Sequence, residues 1–429
     1  MAGKVKLVVL AGPFVGRELT FDQADTFIFG RAEDCHLPLP PDDTSASRYH
    51  FLLEAAPPVA RIRDLGSLNG TFVNGKKCGG RDATESLDQA RKRRFPEVDL
   101  SNGDRIVVGD TMFECGIEGA IAPTVLMQPA PGIPETILRS PAPGTPVART
   151  PEARGDLSAY ELVRSIAKGG MAEVSLVRRR ADGVELALKT ILPEHAFDAS
   201  MRALFLREVE VMRELRHPGI VALLDFGETA GTFWYVMELC RGGDVEEYAQ
   251  ARGSLDLGEI HRIMCQALEG LAFAHSQPKQ FVHRDLKPSN LLLATPGGPV
   301  KIGDFGIAKS FQQAGLSGLT MTGSFAGTYD FMPREQLIDF KRTRPVSDVW
   351  SMAATYYFLA TGALPREVAI GQDPIGAILT VPITPIRTRA QRIPVALAVV
   401  LDRALSDDAR QRPQDGGAFL AELRAVQVT

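Results

Sequence analysis

A proline-rich stretch from residue 119 to about residue 157 divides the chain and limits what it can fold into. The stretch holds eight prolines among Ala, Gly, Thr and Arg, with few large apolar residues. Such a segment cannot bury enough apolar surface to offset the entropy lost on ordering, so we predict a disordered, extended linker. The chain should therefore form separate globular regions, at residues 1–118 and at residues 158–426.

The overall composition excludes several classes of protein. The chain has 45% hydrophobic and 23% charged residues and a formal net charge of −4, so no global positive field points to nucleic acid. Its five dispersed cysteines form no Cys-X-X-Cys pair, which argues against a zinc site or a disulfide scaffold and favours a reducing compartment. The apolar runs at residues 7–11 and 352–364 are too short for a signal peptide or a membrane span. We expect a soluble, cytoplasmic protein without nucleic-acid or membrane partners.

Residues 1–118 have the pattern of an all-β sandwich. Turn dipeptides of Asn and Gly begin at Asn69, Asn74 and Asn102, because both residue types tolerate the positive φ of tight turns. Short runs of β-branched and aromatic residues predict strands at residues 5–7, 27–29, 61–63 and 105–108. Residues 78–99 interrupt this pattern, and we expect them to form a surface insertion.

Residues 158–426 begin with strand patterns and continue with helical ones. Strands are predicted at residues 160–166, 174–179 and 185–191, and helices at residues 202–215, 260–275 and 349–359. The implied architecture is an α+β fold of two lobes, with a small β-rich lobe followed by a larger helical lobe.

The same region carries polar residues suited to phosphoryl transfer. Residues 283–290 read His-Arg-Asp-Leu-Lys-Pro-Ser-Asn, and residues 304–306 read Asp-Phe-Gly. In an extended loop Asp285 and Lys287 project the same way, so one can accept a hydroxyl proton while the other neutralises a transferred phosphate. Asn290 and Asp304 offer oxygen ligands for a hard cation such as Mg²⁺.

Two further charged residues are expected to pair. Lys189 lies on a predicted strand, and Glu208 lies on the apolar stripe of the predicted helix at residues 202–215. A carboxylate in that position is rarely left unpaired, so Lys189 is its expected partner. Taken alone, each would more readily be an ordinary side chain, a lysine that reaches solvent and a glutamate at the edge of a helix.

With these motifs in order, residues 158–426 resemble the eukaryotic-like (Hanks-type) Ser/Thr protein kinases of bacteria. The resemblance implies that Asp285 is the catalytic base and that Asn290 and Asp304 bind Mg²⁺ or Mn²⁺. It further implies that Lys189 holds the α- and β-phosphates of ATP and pairs with Glu208, and that Lys287 marks Ser/Thr rather than Tyr specificity. The implied ATP-binding residues of the glycine-rich loop, adenine pocket, gatekeeper and hinge are Ile166, Ala167, Lys168, Gly169, Gly170, Met171, Ala172, Glu173, Val174, Ala187, Lys189, Met237, Glu238, Leu239, Cys240 and Leu292.

Other positions match the family pattern or depart from it. The resemblance implies that Thr328 lies at the substrate site, that Asp348 is a structural charge, and that Arg412 pairs with Glu335. Ala167 and Ala172 replace two glycines of the loop, and residues 333–335 read Pro-Arg-Glu in place of Ala-Pro-Glu. Alanine is penalised only where φ must be positive, so the expected cost is some nucleotide affinity and not loss of function. Every catalytic polar group of the family is present, so we expect an active kinase. The alternative is a catalytically weak pseudokinase scaffold.

Regulation by phosphorylation is a further expectation. Arg284 precedes the predicted catalytic base, and an arginine there can pair with a phosphate on the segment between Asp304 and Glu335. The threonines of that segment resemble the activation-loop pair of bacterial kinases. We predict autophosphorylation at Thr320 and Thr322.

The N-terminal region contains three short motifs in order: Gly30-Arg31, Ser-Arg-Tyr-His at residues 47–50, and Asp-Leu-Gly-Ser-Leu-Asn-Gly-Thr at residues 64–71. Each alone has an ordinary structural explanation, but together they resemble a forkhead-associated (FHA) domain over nearly all of residues 4–117. The resemblance implies phosphothreonine binding in which Arg31 and Ser47 contact the phosphate and Asn69 fixes the peptide backbone. Arg48 adds a second cation, and His50 is expected to be a scaffold residue.

A kinase joined to a reader of phosphothreonine suggests recruitment of protein substrates and of phosphothreonine-containing proteins. The linker threonines Thr124, Thr136, Thr145 and Thr150 could be autophosphorylated and bound by the FHA domain of the same chain or of a second copy. An unmodified spacer is an equally acceptable interpretation.

Overall fold

The computed structural model describes residues 3–22, 25–82, 85, 94–119, 155–169, 172–191, 209–210, 212–229, 231–305, 329–340, 343–368 and 373–428. Several residues singled out above lie outside these ranges: Thr124, Thr136, Thr145, Thr150, Gly170, Met171, Glu208, Thr320, Thr322 and Thr328. The predictions made for them, and most of the predicted linker, stay predictions.

The N-terminal region is a sandwich of two β-sheets, as predicted. The first sheet holds, in order, β2 (Glu18–Phe21), β1 (Lys4–Ala11), β11 (Thr111–Glu118), β10 (Arg105–Val108), β7 (Phe72–Val73) and β8 (Lys76–Lys77). The second holds β4 (Leu37–Pro38), β3 (Asp25–Gly30), β5 (Phe51–Ala56), β6 (Val59–Asp64) and β9 (Glu97–Leu100). Phe29 and Phe51 stack at 4.5 Å between ring centroids, with Phe113 edge-on, and form the centre of its core.

The prediction of a surface insertion at residues 78–99 is wrong at its C-terminal end. Strand β9 begins at Glu97 and pairs antiparallel with β6, with Asp99 opposite Arg61. Arg61 forms ion pairs with both Glu97 and Asp99 across this edge. The sequence Glu-Val-Asp-Leu is too short and too acidic to indicate a strand by itself, and the basic partner strand stabilises it.

The β-rich lobe is a five-stranded antiparallel sheet. Its strands, in spatial order, are β12 (Tyr160–Lys168), β13 (Ala172–Arg179), β14 (Glu185–Ile191), β16 (Thr232–Glu238) and β15 (Leu223–Thr229). Trp234 is 1% exposed and packs with Val177, Leu186, Leu188 and Val236. The three strands predicted for this lobe are confirmed.

The C-terminal region is helical, as predicted. Its helices are α1 (Val245–Arg252), α2 (Leu257–Ser276), α3 (Arg334–Ile338), α4 (Pro345–Thr361), α5 (Pro374–Thr380), α6 (Ile386–Arg389), α7 (Val395–Ala404) and α8 (Gly416–Arg424), and a small hairpin joins β17 (Leu291–Leu293) to β18 (Val300–Ile302). Asp256 begins α2 as its N-cap, accepting a hydrogen bond from the backbone of Glu259. Among the described helices, none combines the length and apolar character that a bilayer crossing requires.

The β-sandwich and the helical region belong to one compact unit, while the β-rich lobe forms another. Within the first unit they share an apolar cluster. The sandwich contributes Ile28, Ala32, Cys35, Tyr49 and Leu52, and the helical region contributes Ile338, Ile375 and Leu379. Nothing in the sequence motifs predicted this contact.

Candidate functional site

Asp285, Lys287 and Asn290 come together in the loop that precedes β17. The Nζ of Lys287 lies 3.6 Å from Oδ2 of Asp285, as expected if both side chains project the same way. The Nδ2 of Asn290 donates to the backbone oxygen of Asp285 at 2.6 Å and to its Oδ2 at 3.1 Å. The Asp285 carboxylate is thereby held between a cation and an amide, and an acceptor so placed can take a hydroxyl proton.

Asp348, from α4, holds the beginning of this loop. Its side chain is fully buried and accepts hydrogen bonds from the backbone N–H of His283 at 2.6 Å and of Arg284 at 2.8 Å. Nε2 of His275, on α2, lies 3.0 Å from Oδ2 of Asp348. The loop needs these contacts because Arg284 has a φ of +67°, a conformation that costs a non-glycine residue energy.

His283 fixes the next step of the loop. Its Nδ1 accepts a hydrogen bond from the backbone N–H of Asp285, and its Nε2 donates to the backbone oxygen of Gly303 at 2.8 Å. Burial lowers the pKa of His283 below its usual value, which keeps the ring neutral and suited to this donor–acceptor pattern. His283 thus ties the predicted catalytic base to the segment that carries Asp304.

Asn290 and Asp304 have the chemistry of a magnesium site. Because the amide nitrogen of Asn290 faces Asp285, its Oδ1 is the atom available to a cation. Asp304 is half-buried and has a φ of +52°. An amide oxygen and a carboxylate suit Mg²⁺ or Mn²⁺, so these residues fit the metal that the kinase resemblance implies.

In the β-rich lobe, strand register brings several predicted ATP-binding residues to adjacent positions. Val174 pairs with Lys189, and Ala187 pairs with Met237. The Nζ of Lys189 lies 6.0 Å from the centroid of the Tyr235 ring. The neighbouring predicted residues Ile166, Ala167, Lys168, Ala172, Glu173 and Glu238 also lie in strands of this sheet.

The remaining predicted ATP-binding residues have separate positions. Gly169 closes the β12–β13 turn by donating its N–H to the oxygen of Ala172 at 2.9 Å. In the helical region, Leu292 lies in β17 opposite Lys301, and the Cys240 thiol is half-buried.

Glu335 and Arg412 form the ion pair expected from the kinase pattern. Two nitrogens of Arg412 donate to the two carboxylate oxygens of Glu335, at 2.6 and 3.1 Å. The Arg412 side chain is fully buried, and the bidentate geometry with additional carbonyl acceptors satisfies its charge. The pairing predicted between these residues is confirmed.

The FHA-like motifs form two loops at one end of the sandwich, each organised by a buried carboxylate. Asp43 accepts hydrogen bonds from the backbone N–H groups of Ser45 and Ala46. It also accepts one from the backbone N–H of Asp110, which is distant in sequence. Although burial opposes the effect, these hydrogen bonds hold the pKa of Asp43 below its usual range. Asp64, fully buried, accepts from Ser67 through both its backbone N–H and its hydroxyl.

His50 joins the two loops. Its Nδ1 accepts from the backbone N–H of Ser47, and its Nε2 lies 3.1 Å from the backbone oxygen of Gly70. Burial lowers the pKa of His50, as expected for a neutral imidazole with one donor and one acceptor nitrogen. The predicted scaffold role of His50 is therefore confirmed.

Three of the four residues predicted to bind phosphothreonine line a cavity of about 470 Å³. Arg31, Ser47 and Arg48 line it. Arg31 is positioned by donating to the backbone oxygens of Ala46 at 2.6 Å and Pro41 at 3.0 Å. Asn69, exposed beside it, donates Nδ2 to the oxygen of Ser45 at 2.8 Å.

Two arginines at this cavity escaped sequence analysis. Arg81 and Arg334 also line it. Arg334 stands where the kinase pattern departs from Ala-Pro-Glu, and that departure was the available signal. Arg81 lies outside every motif, so no sequence pattern indicated it.

Comparisons with known proteins identify two domain families in this chain. Residues 160–419 match the family model for the protein kinase domain, and residues 27–109 match the model for the FHA domain. Sperm motility kinase 3A of Mus musculus is 32% identical over 208 residues, which is 48% of this chain and 39% of that protein. Sperm motility kinase 2B of Mus musculus is 32% identical over 220 residues, which is 51% of this chain and 43% of that protein.

The chain spans about two fifths of the length of these curated relatives. A crystal structure of Rad53 1–466 in complex with AMP-PNP superposes with a TM-score of 0.51 and 22% sequence identity, covering 99% of this chain and 100% of the other. At that identity the likeness bears on the fold alone.

Proposed function

Because the chain belongs to the protein kinase family and carries an FHA domain, we propose that it transfers the γ-phosphate of ATP to protein serine and threonine hydroxyls. The FHA domain recruits phosphothreonine-containing proteins. The observation that carries the proposal is the Asp285 carboxylate, held 3.6 Å from Lys287 and hydrogen-bonded to Asn290 on a loop anchored by a buried aspartate.

In the proposed reaction Asp285 orients the substrate hydroxyl and accepts its proton as the phosphate is transferred. Lys287 neutralises charge that develops on the transferred group. Lys189, with Glu208 as its partner, holds the α- and β-phosphates of ATP. Mg²⁺ or Mn²⁺, when bound by Asn290 and Asp304, supplies further neutralisation of phosphate charge.

The alanines of the glycine-rich loop favour an active enzyme over the pseudokinase scaffold. Neither Ala167 nor Ala172 has a positive φ. Both lie within strands, where a Cβ carries no conformational penalty. The two replacements therefore do not strain the loop at their own positions.

We also propose a kinase subfamily, phosphorylation sites and a cellular location for this chain. We place the chain with the bacterial eukaryotic-like kinases, with autophosphorylation at Thr320 and Thr322. Its five cysteines are free thiols, which supports a reducing compartment such as the cytoplasm. Linker phosphothreonines bound by the FHA domain would allow self-association.

Phosphate incorporation from labelled Mg·ATP tests the catalytic part. We expect label on serine and threonine of the wild-type chain and of an Asp182→Ala control, which removes an exposed hairpin carboxylate. Asp304→Ala should carry no label. Equal labelling of wild type and Asp304→Ala, or no labelling and no ATP binding by the wild type, would contradict the assignment.

Binding to a phosphothreonine peptide library tests the FHA part. The wild type should retain phosphothreonine peptides and release their unphosphorylated counterparts. Arg31→Ala should lose this preference because it removes a guanidinium that lines the cavity and is held by the backbone of Ala46, whereas Arg17→Ala, a change outside these loops, should keep it. Retention that ignores the phosphate would remove the FHA assignment.

A further inference from the structure

We propose that the kinase region supplies one wall of the phosphothreonine-peptide site, so that both domains together determine which peptide is bound. The inference rests on the proposed phosphothreonine binding by the FHA domain and extends it. Its ligand is a phosphothreonine peptide whose phosphate contacts the FHA loops and whose flanking residue contacts the end of α5.

The cavity at the FHA loops has walls from both regions of the chain. Arg31, Ser47 and Arg48 come from the sandwich. The opposite wall is formed by residues 379–382, at the C-terminal end of α5, with Arg334 and Asp407 beside them. A peptide whose phosphate lies among the FHA arginines therefore has the kinase residues of this second wall beside it, because residues of both regions line the same cavity of about 470 Å³.

The second wall is held in place by a buried contact. Nη1 of Arg63, on β6, lies 2.8 Å from Oδ2 of Asp373, and the two side chains are only 1% and 8% exposed. Asp373 also begins α5 as its N-cap, accepting from the backbone of Gly376. The Asp373 carboxylate therefore contacts both the sandwich and the first turn of the helix whose far end lines the cavity.

The arginines on the two sides of the cavity differ in whether a carboxylate already pairs with them. Within the described part of the chain, Arg31, Arg48 and Arg81 form no ion pair with a carboxylate. Arg334, by contrast, is paired with Asp34 at 3.0 Å and lies 3.9 Å from Asp407. The unpaired cations are the natural place for a phosphate dianion, which makes the FHA side the phosphate side.

The kinase side is suited to reading a neighbouring side chain. Val381 and Pro382 give it an apolar surface above the buried Leu379, and Pro382 is exposed. Arg334 also packs over the Tyr49 ring at 5.2 Å, which closes the seam between the two walls. An apolar surface next to a phosphate site selects by the shape and polarity of the flanking peptide residue.

The test places a charge of either sign on the kinase wall. A phosphothreonine peptide selected from the library is labelled, and its affinity for the whole chain is measured by fluorescence anisotropy at low salt. Pro382→Asp should weaken binding and Pro382→Lys should tighten it, each by about two- to fivefold, because a charge lies within one cavity width of the phosphate dianion. Structural damage alone would move both variants in the same direction.

Matched controls use Val399, which is 61% exposed on α7 and does not line the cavity. Val399→Asp and Val399→Lys should leave the affinity unchanged. The library should also show a changed preference beside the phosphothreonine for the Pro382 variants only.

The outcomes separate this inference from the function on which it rests. Phosphate-dependent binding that Arg31→Ala abolishes, combined with no response to either Pro382 variant, would overturn the composite wall and leave the FHA function standing. Wild-type binding that does not depend on the phosphate would overturn both.

Discussion

Glu54 illustrates how one buried residue couples the FHA domain to pH. It lies on β5, is 5% exposed, and its Oε1 has no hydrogen-bond partner in the described structure. Burial, together with the nearby charge of Glu97, raises the pKa of Glu54 to about 7, against the opposing effect of Arg61. The carboxyl is therefore more stable protonated in the folded protein than in the unfolded chain.

The sign of the effect follows from this raised pKa. The folded state binds the Glu54 proton more tightly than the unfolded chain does. The resulting stabilisation of the fold is complete below the unfolded pKa of about 4.5 and is lost as the pH rises through the folded pKa of about 7. Glu54→Gln removes the titration, and its stability relative to wild type should rise by up to about 3 kcal/mol between acidic and alkaline pH.

Urea unfolding at pH 5 and pH 8 measures this change. The exposed Glu33→Gln serves as the control and should show the same difference from wild type at both pH values. A Glu54→Gln difference that is equally independent of pH would show that the carboxyl is ionised in the folded state throughout.

At the scale of elements, the loop that carries the proposed catalytic base is positioned by α2 and α4 rather than by its own sequence. Asp348 accepts three hydrogen bonds, from the backbone of His283 and Arg284 and from the ring of His275. His275 in turn accepts from the backbone N–H of Gly416 at the beginning of α8. Three helices thus converge on the loop that carries Asp285.

Asp348→Asn should reduce phosphate transfer at least tenfold. The asparagine amide group would face backbone N–H donors, leaving one of them buried without an acceptor, and the stability cost should be about 2 kcal/mol. Initial rates of phosphate incorporation and thermal unfolding measure the two effects.

Asp415→Asn is the matched control for this substitution. Asp415 caps α8 by accepting from the backbone of Ala418, and asparagine is an equally good N-cap. The control should keep both activity and stability. Full activity of Asp348→Asn would mean that the loop holds its shape without this anchor.

At the scale of the whole molecule, the FHA sandwich and the helical region are joined by a buried ion pair and by an apolar cluster. Arg63 and Asp373 are more than 300 residues apart in the chain, as their numbers show, yet both are almost fully buried together. A buried charge that loses its partner is strongly destabilising, whereas removal of both charges costs much less.

We therefore expect a large coupling free energy between Arg63 and Asp373 in unfolding. Arg63→Met and Asp373→Asn should each lower stability by about 3 kcal/mol, and the double variant should lose clearly less than the sum. Asparagine keeps the N-cap of α5, so the Asp373 variant tests the charge alone. Urea unfolding of the four chains completes the cycle, and additive losses would show that the two charges do not interact.

The sequence alone determined the two domain types and predicted the residues of their sites. The segment around Asp285, the magnesium candidates Asn290 and Asp304, and the FHA residues Arg31 and Ser47 are recognisable because each chemistry requires particular residue types at fixed short spacings. The strand at residues 160–166 and the helix at residues 260–275 followed from the local sequence pattern. Strand β9 did not, because its pairing with β6, and not its own sequence pattern, stabilises it.

Only the tertiary structure decided which surface of the FHA domain meets the kinase region. The contacts of Arg63 with Asp373 and of Arg334 with Asp34 depend on residues hundreds of positions apart. No periodicity or motif in the sequence predicts such a contact between the two regions. Its free energy comes from burial and charge compensation between two surfaces, and each region folds through its own local pattern without that contact.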